Sequence, residues 1–91
     1  MDFEFDVAKN RANLTKHGID MQDAALVFVD AHRLDTVDAR KSYGEPRRIV
    51  VGEVLGRVWV VVYTMRGGVQ RLISARKANE REQRRYQALR D

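Results

Sequence analysis

The chain has 91 residues, a net charge of +4 and no cysteine. That describes one domain spanning residues 1–91 with a modest core, and it excludes a disulfide framework and thiolate metal sites. No unbroken apolar run is longer than that from Val58 to Tyr63, far short of the roughly 20 residues of a membrane-spanning helix, and the acidic start Met-Asp-Phe-Glu-Phe is unlike a secretory signal. A cytoplasmic protein without membrane association is expected. The charge is unevenly placed: residues 1–30 carry three basic and six acidic side chains, residues 64–91 eight and three. Thirteen arginines against four lysines suit a polyanionic partner, because the guanidinium fork matches phosphate geometry.

In chain order, Phe3-Glu4-Phe5 alternates as a short edge strand would. Asp6 is placed to N-cap a helix over about Val7 to His17, which Gly18 ends at C′. Asp20 caps a second helix whose stripe is Met21, Ala24, Ala25 and Phe28. His32 to Val37 alternates weakly as a first sheet strand. A polar loop follows, containing Pro46, and then a strand from Arg47 to Val54. Leu55-Gly56 is a turn, and Val58 to Met65 is β-branched and aromatic, which favours a strand. Gly67-Gly68 supplies the positive φ of a two-residue hairpin, and Val69 to Arg76 returns beside it. Asn79 with Glu82 three residues on predicts a capped C-terminal helix to about Arg90, held by Tyr86 and Leu89. The expected fold is α+β: two N-terminal helices, an antiparallel sheet of about four strands, and a C-terminal helix.

A two-residue loop fixes which residues face each other. With Gly67-Gly68 as the loop, Arg66 faces Val69, Thr64 faces Arg71, Val62 faces Ile73 and Val60 faces Ala75. If Leu55-Gly56 is also a two-residue loop, Arg47 faces Thr64, and one further step brings Glu45 near Arg66. Arg47, Thr64, Arg66 and Arg71 then share one end of one sheet face, as an anion-binding site would. The alternative is that these arginines splay into water or are neutralised by Glu45 and other carboxylates. The same register puts Trp59 opposite Arg76 on the other face. There the pair is either a cation–π contact holding the C-terminal segment or a stacking surface for an unpaired base. A bulge after Ile73 would return Arg76 to the first face. His17 and His32 are isolated, so no metal site is expected. There is no Gly-rich phosphate loop and no nucleophile elbow.

The residues together resemble a known family. Phe5-Asp6-Val7-Ala8-Lys9, Asn13-Leu14-Thr15-Lys16-His17-Gly18-Ile19 and Val27-Phe28-Val29-Asp30 look like the N-terminal half of BrnT-type toxins. Gly44-Glu45-Pro46-Arg47, Val61-Val62-Tyr63-Thr64-Met65-Arg66 and Arg71-Leu72-Ile73-Ser74-Ala75-Arg76-Lys77-Ala78, with Glu82 and Tyr86, continue the likeness over nearly the whole chain.

The resemblance implies a RelE-like fold and a toxin of a bacterial type II toxin–antitoxin system. It implies a cofactor-free, metal-independent ribonuclease that halts translation by cutting RNA, whether free or as mRNA on the ribosome. A BrnA-like ribbon-helix-helix antitoxin would neutralise it in a heterotetramer and supply the contact with DNA. For 2′-OH attack on the adjacent phosphorus, Arg66 and Arg71 are assigned to transition-state charge and Arg76 to a further phosphate contact. Glu45 or a histidine would be the base, and Tyr86 or Lys41 would assist the leaving group. Arg47, Thr64 and Trp59 complete the expected RNA contacts. The alternative function is a catalytically silent module of the same fold that regulates transcription with a DNA-binding antitoxin.

Overall fold

The computed structural model describes residues 2–40 and 44–90. The elements are β1 (Phe3–Phe5), α1 (Val7–His17), α2 (Met21–Ala24) running into a 3₁₀ segment (Ala25–Val29), β2 (Leu34–Val37), β3 (Arg48–Val54), β4 (Arg57–Arg66), β5 (Val69–Lys77) and α3 (Glu80–Arg90). The caps are those the sequence predicts. Asp6 accepts from the Lys9 N–H at 2.9 Å and Asp20 from the Gln22 N–H at 2.8 Å. Gly18 ends α1 at φ 76°. Asn79 and Glu82 close a reciprocal capping box at 2.8 and 2.9 Å.

Two parts of the expected architecture are corrected. The sheet has five strands in the order β1-β5-β4-β3-β2, and it is mixed because β1 lies parallel to β5. The second N-terminal helix is α-helical only as far as Ala24 and then tightens into 3₁₀ geometry. The run Ala-Leu-Val-Phe-Val is rich in β-branched and aromatic residues that lose rotamer freedom in an α-helix, while the tighter winding still buries Val27 and Phe28.

The sheet is covered on both faces. On one, α1, α2 and the 3₁₀ segment cover Val50, Trp59, Val61, Tyr63, Leu72 and Ala75. On the other, α3 seats Tyr86 over Val58 and Val60, with Ile49 and Val51 at the margin. Leu89, expected to anchor this helix, is 62% exposed. Among the described residues no helix is long and apolar enough to cross a membrane.

Both two-residue turns form, giving Val54 opposite Arg57 and Arg66 opposite Val69. Leu55 takes a left-handed φ of 51° to make the first of them. The second hairpin keeps its predicted register only to Tyr63–Leu72. The next pair is Val62–Ser74, so Ile73 is an extra residue in β5, and Val60 faces Arg76 rather than Ala75. In an unbulged strand Ser74 and Arg76 would lie under α1 and Ala75 would turn away. Burying an unpaired guanidinium costs far more than one irregular ladder position. With the bulge, Ala75 is fully buried on the helical side and its N–H donates to Asn13 Oδ1 at 3.0 Å.

Candidate functional site

The bulge decides the composition of the site. Thr64 and Arg71 are direct cross-strand partners, as are Val60 and Arg76, so Arg66, Arg71 and Arg76 project from one face of β4 and β5. This is the face of α3, whose first turn borders Arg76. Arg47 stands one residue before β3, and strand alternation puts it level with Thr64 on this same face. Trp59 pairs with Lys77 instead of Arg76. The expected Trp59–Arg76 pairing is therefore not formed, and the indole lies in the opposite core at 7% exposure.

Arg66, Arg71 and Arg76 each meet a carboxylate. Arg66 Nη2 is 3.2 Å from Glu45 Oε1, as the extended register predicts. Arg71 Nη1 is 3.4 Å from Glu4 Oε1, because β1 joins the sheet with Glu4 beside Arg71. Arg76 holds Glu82 through two hydrogen bonds of 2.8 and 2.9 Å. The hydrogen bonds from Arg76 lower the Glu82 pKa, against burial, with help from the Asn79 N–H and the charges of Arg76 and Arg40. The arginines thus share one face, and the neutralising carboxylates that the sequence offered as the alternative stand beside Arg66, Arg71 and Arg76.

Arg40 is a member that sequence reasoning missed. Its Nε and Nη2 donate to the two oxygens of the buried Asp38 carboxylate at 2.8 and 2.9 Å. Its charge is felt at both Arg76 and Glu82, so it lies within electrostatic reach of that pair. It sits in a connection between strands, where no periodicity reports facing. An Asp-x-Arg spacing was the only available signal.

Thr64 is buried, and its hydroxyl donates to the Pro46 carbonyl at 2.6 Å. It ties down the segment that carries Glu45 rather than presenting itself on the surface. Tyr86 is 0% exposed, and its hydroxyl donates to Asp30 Oδ2. Burial first, then the Asp30 hydrogen bond and charge, pushes the Tyr86 pKa up to about 12. It is a latch between α3 and the 3₁₀ segment, beside the β3–β4 turn, whereas Arg66 ends β4 at the other end. A second phenol, Tyr63, is held by Asp35 and is likewise raised to about 12, chiefly by burial. His17 lies at the end of α1 and His32 donates its backbone N–H to Asp30, so neither stands with Arg66. Lys41 lies outside the described residues. Among the described residues, no group of three or more histidine, aspartate or glutamate side chains is gathered as metal ligands would be.

A face of this kind, with guanidinium groups on adjacent strands and one carboxylate beside each, suits binding of phosphodiester anions and stabilisation of charge that builds on phosphorus. Comparison with curated proteins finds no match. The sequence model for the ribonuclease toxin BrnT of type II toxin–antitoxin systems matches residues 5–82, which include every arginine of this face. The chain belongs to the BrnT family of ribonuclease toxins of type II toxin–antitoxin systems.

Proposed function

We propose that this chain is an endoribonuclease that cleaves RNA without a metal, using the ribose 2′-OH as nucleophile, and thereby arrests translation in the cytoplasm. The supporting observation is the Ile73 bulge, which brings Arg76 onto the face that already carries Arg66 and Arg71. In this reading the 2′-oxygen attacks the adjacent phosphorus and its proton passes to Glu45, already beside Arg66. Arg66 and Arg71 bind the non-bridging oxygens as the pentacovalent dianion forms. The bond to the 5′-oxygen breaks, that oxygen takes a proton from water, and the products carry a 2′,3′-cyclic phosphate and a 5′-hydroxyl. Arg76 and Arg40 hold a neighbouring phosphate.

Membership in a type II family implies an antitoxin partner. A BrnA-like ribbon-helix-helix antitoxin, bound in a heterotetramer and providing the only contact with DNA, is the form we propose for it. The test is induction of this chain alone in cells. Growth arrest with RNA fragments ending in 2′,3′-cyclic phosphate supports the proposal. Unimpaired growth with antitoxin binding intact would replace it with a catalytically silent regulatory module.

A further inference from the structure

The arginine face is not the whole of the basic surface. β1 covers β5 only from Gln70 to Leu72, and among the described residues the outer edge of Ile73–Lys77 has no strand neighbour. Two adjoining grooves run along that edge, between it and α1. One is lined by Lys16, His17, Arg76 and Lys77, the other by Lys9, Lys16, His17 and Ser74. They share Lys16 and His17, and so form one trough.

Its electrostatics differ from those of the arginine face. Arg40, Arg66, Arg71 and Arg76 each have a carboxylate partner. Among the described residues, by contrast, no ion pair holds Lys9, Lys16 or Lys77. Among the described residues, no acidic side chain lines either groove. Lys9 and Lys16 also share one side of α1, seven residues apart, so they line the trough lengthwise. Lysines held by no ion pair around a concavity are a site for an external anion.

Arg76 lines the trough and also belongs to the arginine face, so the two surfaces meet at the β5 edge. From Arg71 to Arg76 along the strand is about 16 Å, a reach that a polymer of regularly spaced phosphates can bridge. With Trp59 buried, no aromatic indole is offered for base stacking on this path. Charge along the backbone, helped by Ser74 and His17, would do the holding.

We infer that the Lys9–Lys16–His17–Lys77 trough is a second RNA subsite, which holds the single strand where it leaves the arginine face around the edge of β5. The inference rests on the RNA-cleavage reading for its substrate class. The experiment is therefore one of binding alone, with 2′-O-methyl RNA, which lacks the attacking hydroxyl. Anisotropy of labelled oligonucleotides of about 16 and about 4 nucleotides is followed against salt, for the wild type and for Lys16→Gln/Lys77→Gln. Both side chains are exposed, and thermal melting confirms the fold of the variant.

For the longer RNA the variant should lower the slope of log affinity against log salt by about 1.4, two phosphate contacts at about 0.7 each on a single strand. The short RNA should bind both proteins alike. An unchanged slope for the long RNA overturns the subsite. So does a wild type that ignores RNA but binds polyglutamate, which would make the trough a seat for an acidic protein segment. A lowered slope in a protein that never cuts natural RNA keeps the subsite and removes the cleavage reading.

Discussion

Arg76 Nη1 lies 2.8 Å from Glu82 Oε1 and Arg76 Nη2 lies 2.9 Å from Oε2, a two-pronged pair joining β5 to the first turn of α3. Glu82 also accepts the Asn79 N–H, so one carboxylate caps the helix and counters an arginine of the proposed phosphate site. Glu82→Gln should keep the cap, since glutamine serves in a capping box, while removing one negative charge. Binding of 2′-O-methyl RNA at low salt should tighten about threefold, the worth of one partly exposed charge interaction. Weaker binding would instead show that the carboxylate is needed to aim Arg76.

Arg66→Ala removes a side chain that is 51% exposed and paired only with Glu45 among the described residues. Stability should fall by less than about 1 kcal/mol, the usual limit for an exposed pair. Growth arrest on induction should disappear, because loss of one group that binds developing charge slows chemistry by about 10²–10³-fold. Full toxicity with normal expression would remove Arg66 from the chemistry.

Gly52 is needed for close approach. A Cβ built there would meet Val27 Cγ2 at 2.7 Å and Asp30 Oδ2 at 3.2 Å. Gly52→Ala should destabilise the fold by about 1–3 kcal/mol, as overpacking a well-filled core does. Urea unfolding measures this directly, and RNA affinity of the folded fraction should be retained.

Tyr86→Phe tests the latch. Among the described residues its hydroxyl is one of three donors to the Asp30 carboxylate, the others being the N–H groups of Glu53 and His32. Loss of a hydrogen bond to a charged acceptor should cost about 1.5–3 kcal/mol. RNA cleavage by the folded variant should persist, because the phenol hydroxyl is buried against Asp30, beside the β3–β4 turn and at the opposite end of β4 from Arg66. A variant that is stable but inactive would return Tyr86 to the chemistry.

The same latch gives a pH dependence. Burial opposes the Asp30 carboxylate, but its hydrogen bonds outweigh that and hold its pKa below the ordinary 3.8. Its contribution to stability is therefore complete above 3.8 and is lost as pH falls through the lower folded value. Tyr86, raised from 10.0 to about 12, contributes below pH 10 and loses that contribution as pH rises toward 12. Asp30→Asn should flatten the acid limb of a stability–pH curve measured by thermal melting. An acid limb identical to that of the wild type would show that Asp30 does not govern it.

By itself the sequence determined what depends on neighbours along the chain. The caps at Asp6, Asp20 and Asn79, the two-residue turns, and the facing of Arg66, Thr64 and Arg71 all follow from short spacings, and Glu45 meets Arg66 as the extended register implies. Tertiary packing decided the rest. β1 enters parallel to β5 and gives Arg71 its partner Glu4, a contact between residues far apart in the chain. Arg40 comes within electrostatic reach of Arg76 from a connection with no periodicity to read. Above all, the facing of Arg76 was settled by α1, which takes the small Ala75 beneath it and leaves the guanidinium to the opposite face, beside Glu82 of α3. Strand alternation carries facing only as far as a ladder is regular. The bulge that breaks it at Ile73 exists because a layer distant in sequence cannot bury an unpaired charge.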